Sequence, residues 1–228
     1  MEDAFEDGQI ELENLKSTTR VHRQALLKHV AEIISAFLLS FATVASAWCA
    51  YQSSRWSGVQ TITFFEANNA RSESIRKSNE ALQLATIDVG MFTEFIAAYT
   101  EDNQQMMDII MQRFRPEMKP AVEAWLAKDP FNNPDAPPSP FAMGEYKSAS
   151  QLESDRLLTV SERKFQEAKQ ANQTSDNYVM LTVMFASVLF FCGISTNFES
   201  FPIRATLIVI AAIVYVIAFN ILRIYPIH

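Results

Sequence analysis

The sequence contains little of what enzymes and nucleic-acid-binding proteins ordinarily need. Its 228 residues include only five glycines, three histidines and two cysteines, and its 26 acidic residues outnumber 19 basic ones, for a net charge of −7. A basic excess for phosphate contacts is missing, which argues against nucleic acid as a partner. The sequence also lacks a nucleophile paired with a base, clustered metal ligands and a Gly-rich phosphate loop. We therefore predict a protein that is not an enzyme and uses no cofactor and no metal.

The two cysteines and the N-terminal residues set further limits. Cys49 and Cys192 both lie inside apolar runs, so neither belongs to a disulfide framework or a thiolate metal site, and we interpret them as small buried hydrophobes. The first 15 residues carry six acids and no base, unlike a secretory signal peptide. The first apolar run would then serve as a signal anchor.

Three long runs with almost no ionisable side chains dominate what the sequence does contain. They cover residues 30–51, 178–198 and 205–222. About 20 apolar residues in a helix cross the hydrocarbon layer of a membrane. The sequence therefore predicts an all-α membrane protein with three transmembrane helices, in contact with the lipid bilayer.

The remaining residues divide around these spans. We predict an acidic and then basic tail at 1–29, a long extramembrane helical hairpin at 52–177 between spans one and two, a short turn at 199–204 and a tail at 223–228. The basic flank before span one favours a cytoplasmic N-terminus. Residues 52–177 would then be periplasmic or extracellular, in a multi-pass protein of the inner (plasma) membrane.

The hairpin prediction depends on two helical patterns separated by prolines. Apolar residues recur at helical spacing from Ile87 to Phe114, which predicts one long helix with one apolar stripe. The members of the stripe are Ile87, Met91, Phe95, Tyr99, Met106, Ile109, Ile110 and Phe114. Residues 148–177 contain no proline or glycine and lead directly into span two. Five prolines between 129 and 146 form the turn at the tip.

The first span carries a face of small side chains. Ala36, Ser40, Thr43 and Ala47 lie on one side of the helix, and small residues in lipid let helix backbones approach closely. We predict that this face mediates helix packing, most simply in a homo-oligomer.

Aromatic and acidic residues mark the ends of that span. Trp48, Tyr51 and Trp56 are predicted interfacial anchors, although Trp56 could instead pack within the base of the hairpin. Glu32 is explained either by pairing with Lys28, four residues away, or by a place at the mouth of an ion path that includes Ser46.

The tip loop is a candidate for binding a protein partner. Its characteristic residues are Phe131, Pro137, Pro138, Phe141 and Tyr146. The prolines are typical of proline-motif ligands, whereas the aromatic residues favour a loop that packs on its own domain.

Three stretches together resemble a family of uncharacterised bacterial membrane proteins with three predicted spans. They are AYQSSRWSG (50–58), RFRPEMKPAVEAWLAKDPFNNPDAPPSPFAMGEY (113–146) and ANQTSDNYVMLTVMFASVLFFCGIS (171–195). The resemblance covers the middle block and two of the spans. It implies a bacterial inner-membrane setting, and it implies no activity and no functional residue.

Three functions fit these features. The first is a structural or interaction protein, a homo-oligomer that displays a helical hairpin and binds another protein at its tip. The second is a sensor or signalling adaptor, by analogy with the layout of receptor sensor domains. The third is a pore or transporter component lined by span one, for which intramembrane charge would be the usual sign.

Overall fold

Helices make up the regular structure of the described part of the chain, which contains no strand. The computed structural model describes the backbone of residues 2–198 and 200–228, and the side chains of residues 26–198 and 200–228. The helices are α1 (Glu2–Thr100), α2 (Gln104–Arg113), α3 (Lys119–Leu126), α4 (Ala149–Ser195) and α5 (Phe201–Leu222), with a short 3₁₀ turn at Pro140–Ala142. The prediction of an all-α protein is confirmed.

Three of these helices are long and apolar enough to cross a membrane. They are Leu26–Thr100 within α1, Ala149–Ser195 and Phe201–Leu222. The first and the third contain the predicted runs 30–51 and 205–222. The second ends at Ser195, three residues before the end of the predicted run 178–198. The helices are compatible with a multi-pass membrane protein. Helix α5 begins at Phe201, earlier than the predicted span, because Pro202 occupies the first turn, where its missing N–H leaves no hydrogen bond unmade. Pro202 and Arg204 therefore lie in the helix and not in the preceding turn.

The chain forms two compact units. The terminal unit consists of Met1–Gln60 and Lys169–His228, and the central unit is Thr61–Ala168. Helices α1 and α4 contribute segments to both units, whereas α5 lies in the terminal unit and α2 and α3 lie in the central one.

The core of the terminal unit packs large side chains of α4 against small ones. Helix α4 supplies Tyr178, Leu181, Phe185, Val188 and Cys192, at alternating spacings of three and four residues. Their buried neighbours are Ala42 and Cys49 of α1 and Ala211 and Ala218 of α5. The small residues give the α4 side chains room to interdigitate, which is how apolar helices associate when lipid surrounds them.

Polar contacts attach the segment after α5 to α1 and α4 within the terminal unit. The side chain of Gln52 is fully buried. Its Nε2 donates to the backbone oxygen of His228 at 3.3 Å, and its Oε1 accepts from the His228 N–H at 3.0 Å. The Trp56 indole and the Tyr178 hydroxyl each donate to the Pro226 carbonyl at 3.1 Å. The buried polar groups of this region are thereby satisfied, as stability requires.

In the central unit, α1 and α4 meet along a line of small residues that we call the seam. Its α1 members recur every seven residues, and those of α4 do the same. They are Ala67, Ser74, Ala81 and Asp88 on α1, and Ser154, Ser161 and Ala168 on α4, all buried. A strict seven-residue repeat keeps one line of a helix against its partner, as in a coiled coil.

Serine hydroxyls bridge the seam directly. Ser74 Oγ donates to the Ser154 carbonyl and Ser154 Oγ to the Ser74 carbonyl, both at 2.9 Å, while Ser161 Oγ donates to the Ala67 carbonyl at 2.9 Å. Partners later in α1 face partners earlier in α4, so the two segments run antiparallel. A side-chain hydroxyl reaches the other helix's backbone only where the backbones approach closely.

Helix α1 ends earlier than the apolar periodicity predicts. Asp102 adopts a positive φ of 54°, a conformation that aspartate tolerates better than most residues. The Asn103 side chain then caps α2 by accepting from the Met106 N–H at 3.1 Å. The single helix predicted through Phe114 is therefore two helices.

The predicted apolar stripe is buried only in part. Phe95, Ile110 and Phe114 are buried, whereas Ile87, Tyr99, Met106 and Ile109 are exposed. Ile87 is exposed because the line of α1 that packs on α4 passes through its neighbour Asp88. Adjacent residues of a helix point about 100° apart.

Replacing Ala81 with leucine tests the close approach along the seam. Ala81 is buried and Ala97, on the same helix, is exposed. We expect Ala81→Leu to lower the free energy of unfolding by about 1–3 kcal/mol, because a larger side chain in a packed interior forces the helices apart. Thermal unfolding followed by circular dichroism measures the effect. Ala97→Leu is the matched control, and equal melting temperatures for the two variants would contradict the close packing.

Candidate functional site

Apolar and aromatic side chains from several elements form the core of the central unit beyond the seam. Phe95 and Ala98 of α1, Ile110 of α2, Phe114 and Met118 of the next connection, and Val122 of α3 are all buried together. The rings of Phe95 and Phe114 are tilted relative to each other with their centroids 5.9 Å apart, a favourable arrangement of ring quadrupoles. This core positions the loop that follows α3.

The proline-rich loop packs on this core. The Trp125 indole donates to the Pro137 carbonyl at 2.7 Å. Phe131 stacks on Tyr99 with ring centroids 4.0 Å apart, and Phe141 contacts Tyr146 at 5.1 Å. Three of the predicted tip residues thus contact other aromatic rings of the unit. Pro137 is half-buried and Pro138 is exposed.

A buried polar network ties the loop to α1. Asp88 is fully buried, and its Oδ2 accepts a hydrogen bond from the Tyr146 hydroxyl at 3.1 Å. Its Oδ1 makes no hydrogen bond but lies 3.5 Å from Nε of Arg115. Arg115 also pairs with Glu117, whose other oxygen accepts from the Ala149 N–H at the start of α4 at 3.1 Å. One network therefore links four separate segments of the central unit.

The environment of this network shifts the pKa values of Asp88 and Tyr146. Burial raises the pKa of Asp88 above its ordinary value, against the opposing effects of the Tyr146 hydrogen bond and the Arg115 charge. Burial, followed by the hydrogen bond to Asp88, raises the pKa of Tyr146 to about 12. Desolvation of the charged form is the dominant cause for both groups.

Next to the core, a groove opens between the end of α1, α2 and α3. Its volume is about 260 Å³. The lining residues are Phe95, Tyr99, Gln104, Met107, Asp108, Met111 and Leu126. The walls are thus mainly apolar, with flexible methionines that adapt to varied shapes. Asp108 supplies the one charged group of the lining, and its Oδ1 accepts from Gln104 Nε2 at 3.0 Å.

The small face predicted on span one points away from the core of the terminal unit. Ala36, Ser40, Thr43 and Ala47 are all exposed. The hydroxyls of Ser40 and Thr43 donate to the carbonyls of Ala36 and Leu39 on their own helix, at 2.9 Å and 2.7 Å. Packing within the unit uses a different line of α1, through Ala42 and Cys49.

The three predicted anchors differ in their surroundings. Trp48 and Tyr51 are exposed and lie 5.9 Å apart between ring centroids. Trp56 is half-buried and packs edge to face on His228 at 5.2 Å, besides its hydrogen bond to Pro226. Trp56 is therefore engaged within the terminal unit.

Glu32 pairs with α5 and not with its own helix. Its Oε1 lies 3.2 Å from Nη1 of Arg204, and the Arg204 side chain is buried. The partner of Glu32 is therefore Arg204 of α5 and not Lys28, the predicted partner four residues earlier on α1. Ser46, the other residue of the suggested ion path, is half-buried.

Sequence reasoning missed Asp88, Arg115, Glu117 and the groove at Asp108. One signal could have found Asp88, because it continues the seven-residue series of small residues at 67, 74 and 81. A carboxylate on a line of buried alanine and serine is a buried charge that needs a partner. The sequence spacing does not identify Arg115 as the partner of Asp88, or Glu117 as the partner of Arg115, because both residues lie in the irregular connection between α2 and α3.

Comparison with protein-family models, with curated proteins and with solved structures gives no match for this chain. Among the described residues, no group of three or more His, Cys, Asp or Glu side chains could hold a metal ion.

Removing the Tyr146 hydroxyl tests the buried network. We expect Tyr146→Phe to lower the free energy of unfolding by about 1–3 kcal/mol, because the buried Asp88 carboxylate loses its hydrogen-bond donor. Chemical unfolding monitored by circular dichroism measures the change. Tyr99→Phe is the control, since the Tyr99 hydroxyl has no hydrogen bond among the described residues. A Tyr146→Phe protein as stable as Tyr99→Phe would contradict the network.

The raised pKa of Asp88 makes a prediction about pH. A carboxyl whose folded pKa lies above its unfolded value contributes stability at low pH and loses it as the pH rises from about 4 through the raised pKa. We therefore expect the melting temperature of the wild type, minus that of Asp88→Asn, to fall as the pH rises from 4 to 8. Melting curves across this range measure the difference. A difference that grows with pH would contradict the raised pKa.

Proposed function

We propose that this protein is a membrane-anchored interaction protein without enzymatic activity, whose central unit binds a segment of another protein. The three apolar helices hold the chain in the bilayer. The central unit then forms an extramembrane helical hairpin between spans one and two, with the proline-rich loop at its tip. The chain acts as a homo-oligomer.

The groove beside Asp108 is the observation that carries this proposal. Its 260 Å³ is below the usual size of a pocket that encloses a small-molecule ligand, but it accommodates one or two large side chains. The Met107, Met111 and Leu126 side chains offer an apolar surface, and Asp108 offers an exposed negative charge. A partner segment with an apolar anchor next to a lysine or arginine has matching chemistry.

The packing of the loop favours the groove over the prolines as the binding element. Trp125 and the aromatic cluster hold Phe131, Pro137 and Phe141 against the unit. A proline-motif ligand would present its prolines in an extended, accessible segment. The loop serves here to support α3, which forms one wall of the groove.

The interaction function is also favoured over a pore lined by span one. Ion pathways usually display unpaired charge within the membrane. Glu32 is instead paired with the buried Arg204 at 3.2 Å, which gives its charge a structural partner in the same unit.

The membrane orientation belongs to the same proposal. The basic residues before span one favour a cytoplasmic N-terminus, and we propose on that basis that the central unit lies on the periplasmic or extracellular side. The resemblance in residues 50–58, 113–146 and 171–195 supports a bacterial inner membrane.

Site-specific photo-crosslinking in cells tests the groove. A photoreactive residue is placed at Met107, in the groove, and in a separate protein at Thr93, which is exposed on α1 outside the groove lining. We expect a discrete protein adduct from position 107 and none from position 93. Adducts of equal yield from both positions, or none from either, would contradict a binding groove.

A charge reversal tests the chemistry of the partner. We expect Asp108→Lys to reduce the adduct at position 107 at least tenfold, because a basic partner segment would meet a like charge. Asp135→Lys is the matched control, since Asp135 is an exposed acid of the same unit outside the groove lining. Equal loss in both variants would indicate an effect of net charge and not of the groove.

A further inference from the structure

The two sides of the α1/α4 pair in the central unit differ in chemistry. Around a helix, the residue before a seam residue and the residue after it lie on opposite sides, about 100° away in each direction. Glu66, Glu73 and Glu80 each precede a seam residue of α1. Ile75, Leu82 and Val89 each follow one. One side of the pair is therefore acidic along α1, and the other is apolar.

Contacts between the helices confirm the two sides. On the charged side, Lys164 of α4 lies 3.0 Å from Glu66 and Ser150 donates to Glu80 at 3.0 Å. On the apolar side, Phe64 contacts Phe165 with ring centroids 6.1 Å apart. Glu66 and Glu80 on the charged side are therefore partnered within the chain.

The apolar side is left uncovered. Ile75, Leu82, Val89, Leu158 and Phe165 are all exposed. The α1 members recur every seven residues, which is the spacing of a surface that packs on another helix. An exposed apolar strip of this kind outside the bilayer indicates an interaction surface.

The charged residues on this side indicate what covers it. Arg71 of α1 and Asp155 and Glu162 of α4 are exposed, and no ion pair involves them in the described part of the chain. Ser74 of α1 faces Ser154 of α4, and Ala67 faces Ser161. Arg71 lies between Ala67 and Ser74 along α1, so its height along the pair falls between those of Asp155 and Glu162 on α4. The apolar side thus carries a cation on one helix and two anions at the same level on the other.

We infer that the apolar side of the central unit is a twofold interface with a second copy of this chain. The axis that relates the two copies runs along the α1/α4 pair, beside its apolar side. A half-turn about that axis places α1 of one copy against α4 of the other at the same level. Arg71 of each copy then meets Asp155 and Glu162 of the other, and the apolar residues pack between them as a four-helix bundle.

This inference rests on the homo-oligomer part of the proposed function and does not involve the groove. Its first test compares two isoleucines of α1 with nearly equal exposure, Ile75 at 55% on the apolar side and Ile87 at 53% on the charged side. The mass of each protein is measured by light scattering in mild detergent. We expect wild type and Ile87→Glu to be dimers and Ile75→Glu to be a monomer, with unchanged helicity by circular dichroism.

A second test uses charge-swapped chains with different affinity tags. In a dimer of Arg71→Glu chains, the new glutamate of each copy meets Asp155 and Glu162 of the other. In a dimer of the double variant Asp155→Arg/Glu162→Arg, the new arginines of each copy meet Arg71 of the other. Coexpressed, the two variants restore opposite charges at both contacts. We expect each variant alone to form at least tenfold less dimer than wild type, and the mixture to recover dimers that carry both tags.

The outcomes separate the inference from the proposed function. A monomeric wild type would overturn both the oligomer and this interface, while the groove adduct at position 107 would still test partner binding. A wild-type dimer that persists in Ile75→Glu, or a mixture without dimers that carry both tags, would overturn the interface and leave the oligomer in place.

Discussion

The close approach of α1 and α4 in the central unit is the contact on which the rest of that unit depends. Alanine and serine at every seventh position let the two backbones approach closely enough for Ser74 and Ser154 to exchange hydrogen bonds with each other's carbonyls. Large side chains are thereby kept off the seam and lie on its flanks. The acidic side and the apolar side both follow from which residues flank the seam.

Asp88 lies where the small-residue line meets the aromatic core. A buried carboxylate is costly unless it is paired, and here Tyr146 and Arg115 both approach it. Because Tyr146 belongs to the loop and Arg115 to the connection between α2 and α3, the charge holds irregular segments against a regular helix. The groove beside Asp108 adjoins that arrangement, since its walls come from α1, α2 and α3 and the connection joins the last two of these helices.

The sequence predicted the helical class and the three apolar helices because hydrophobic runs and missing charge are local properties. It did not predict the break at Asp102, which depends on one residue's backbone conformation and on the Asn103 cap. The periodicity of large apolar residues predicts a packed stripe through Ile87, whereas the packed line is made of small residues and Ile87 is exposed. The partner of Glu32 could not be found locally, since Arg204 is 172 residues away. The Asp108 groove is formed by tertiary packing and has no local signal.

A seam built from small residues at a constant interval has a consequence for helix register. If α4 slid by seven residues, alanine and serine would again face alanine and serine, so packing along this line discriminates poorly between the two alignments. The polar contacts discriminate well, because Lys164 would leave Glu66 and Tyr146 would leave the buried Asp88. In this unit the apolar packing makes association favourable, and a few polar residues determine which alignment is adopted.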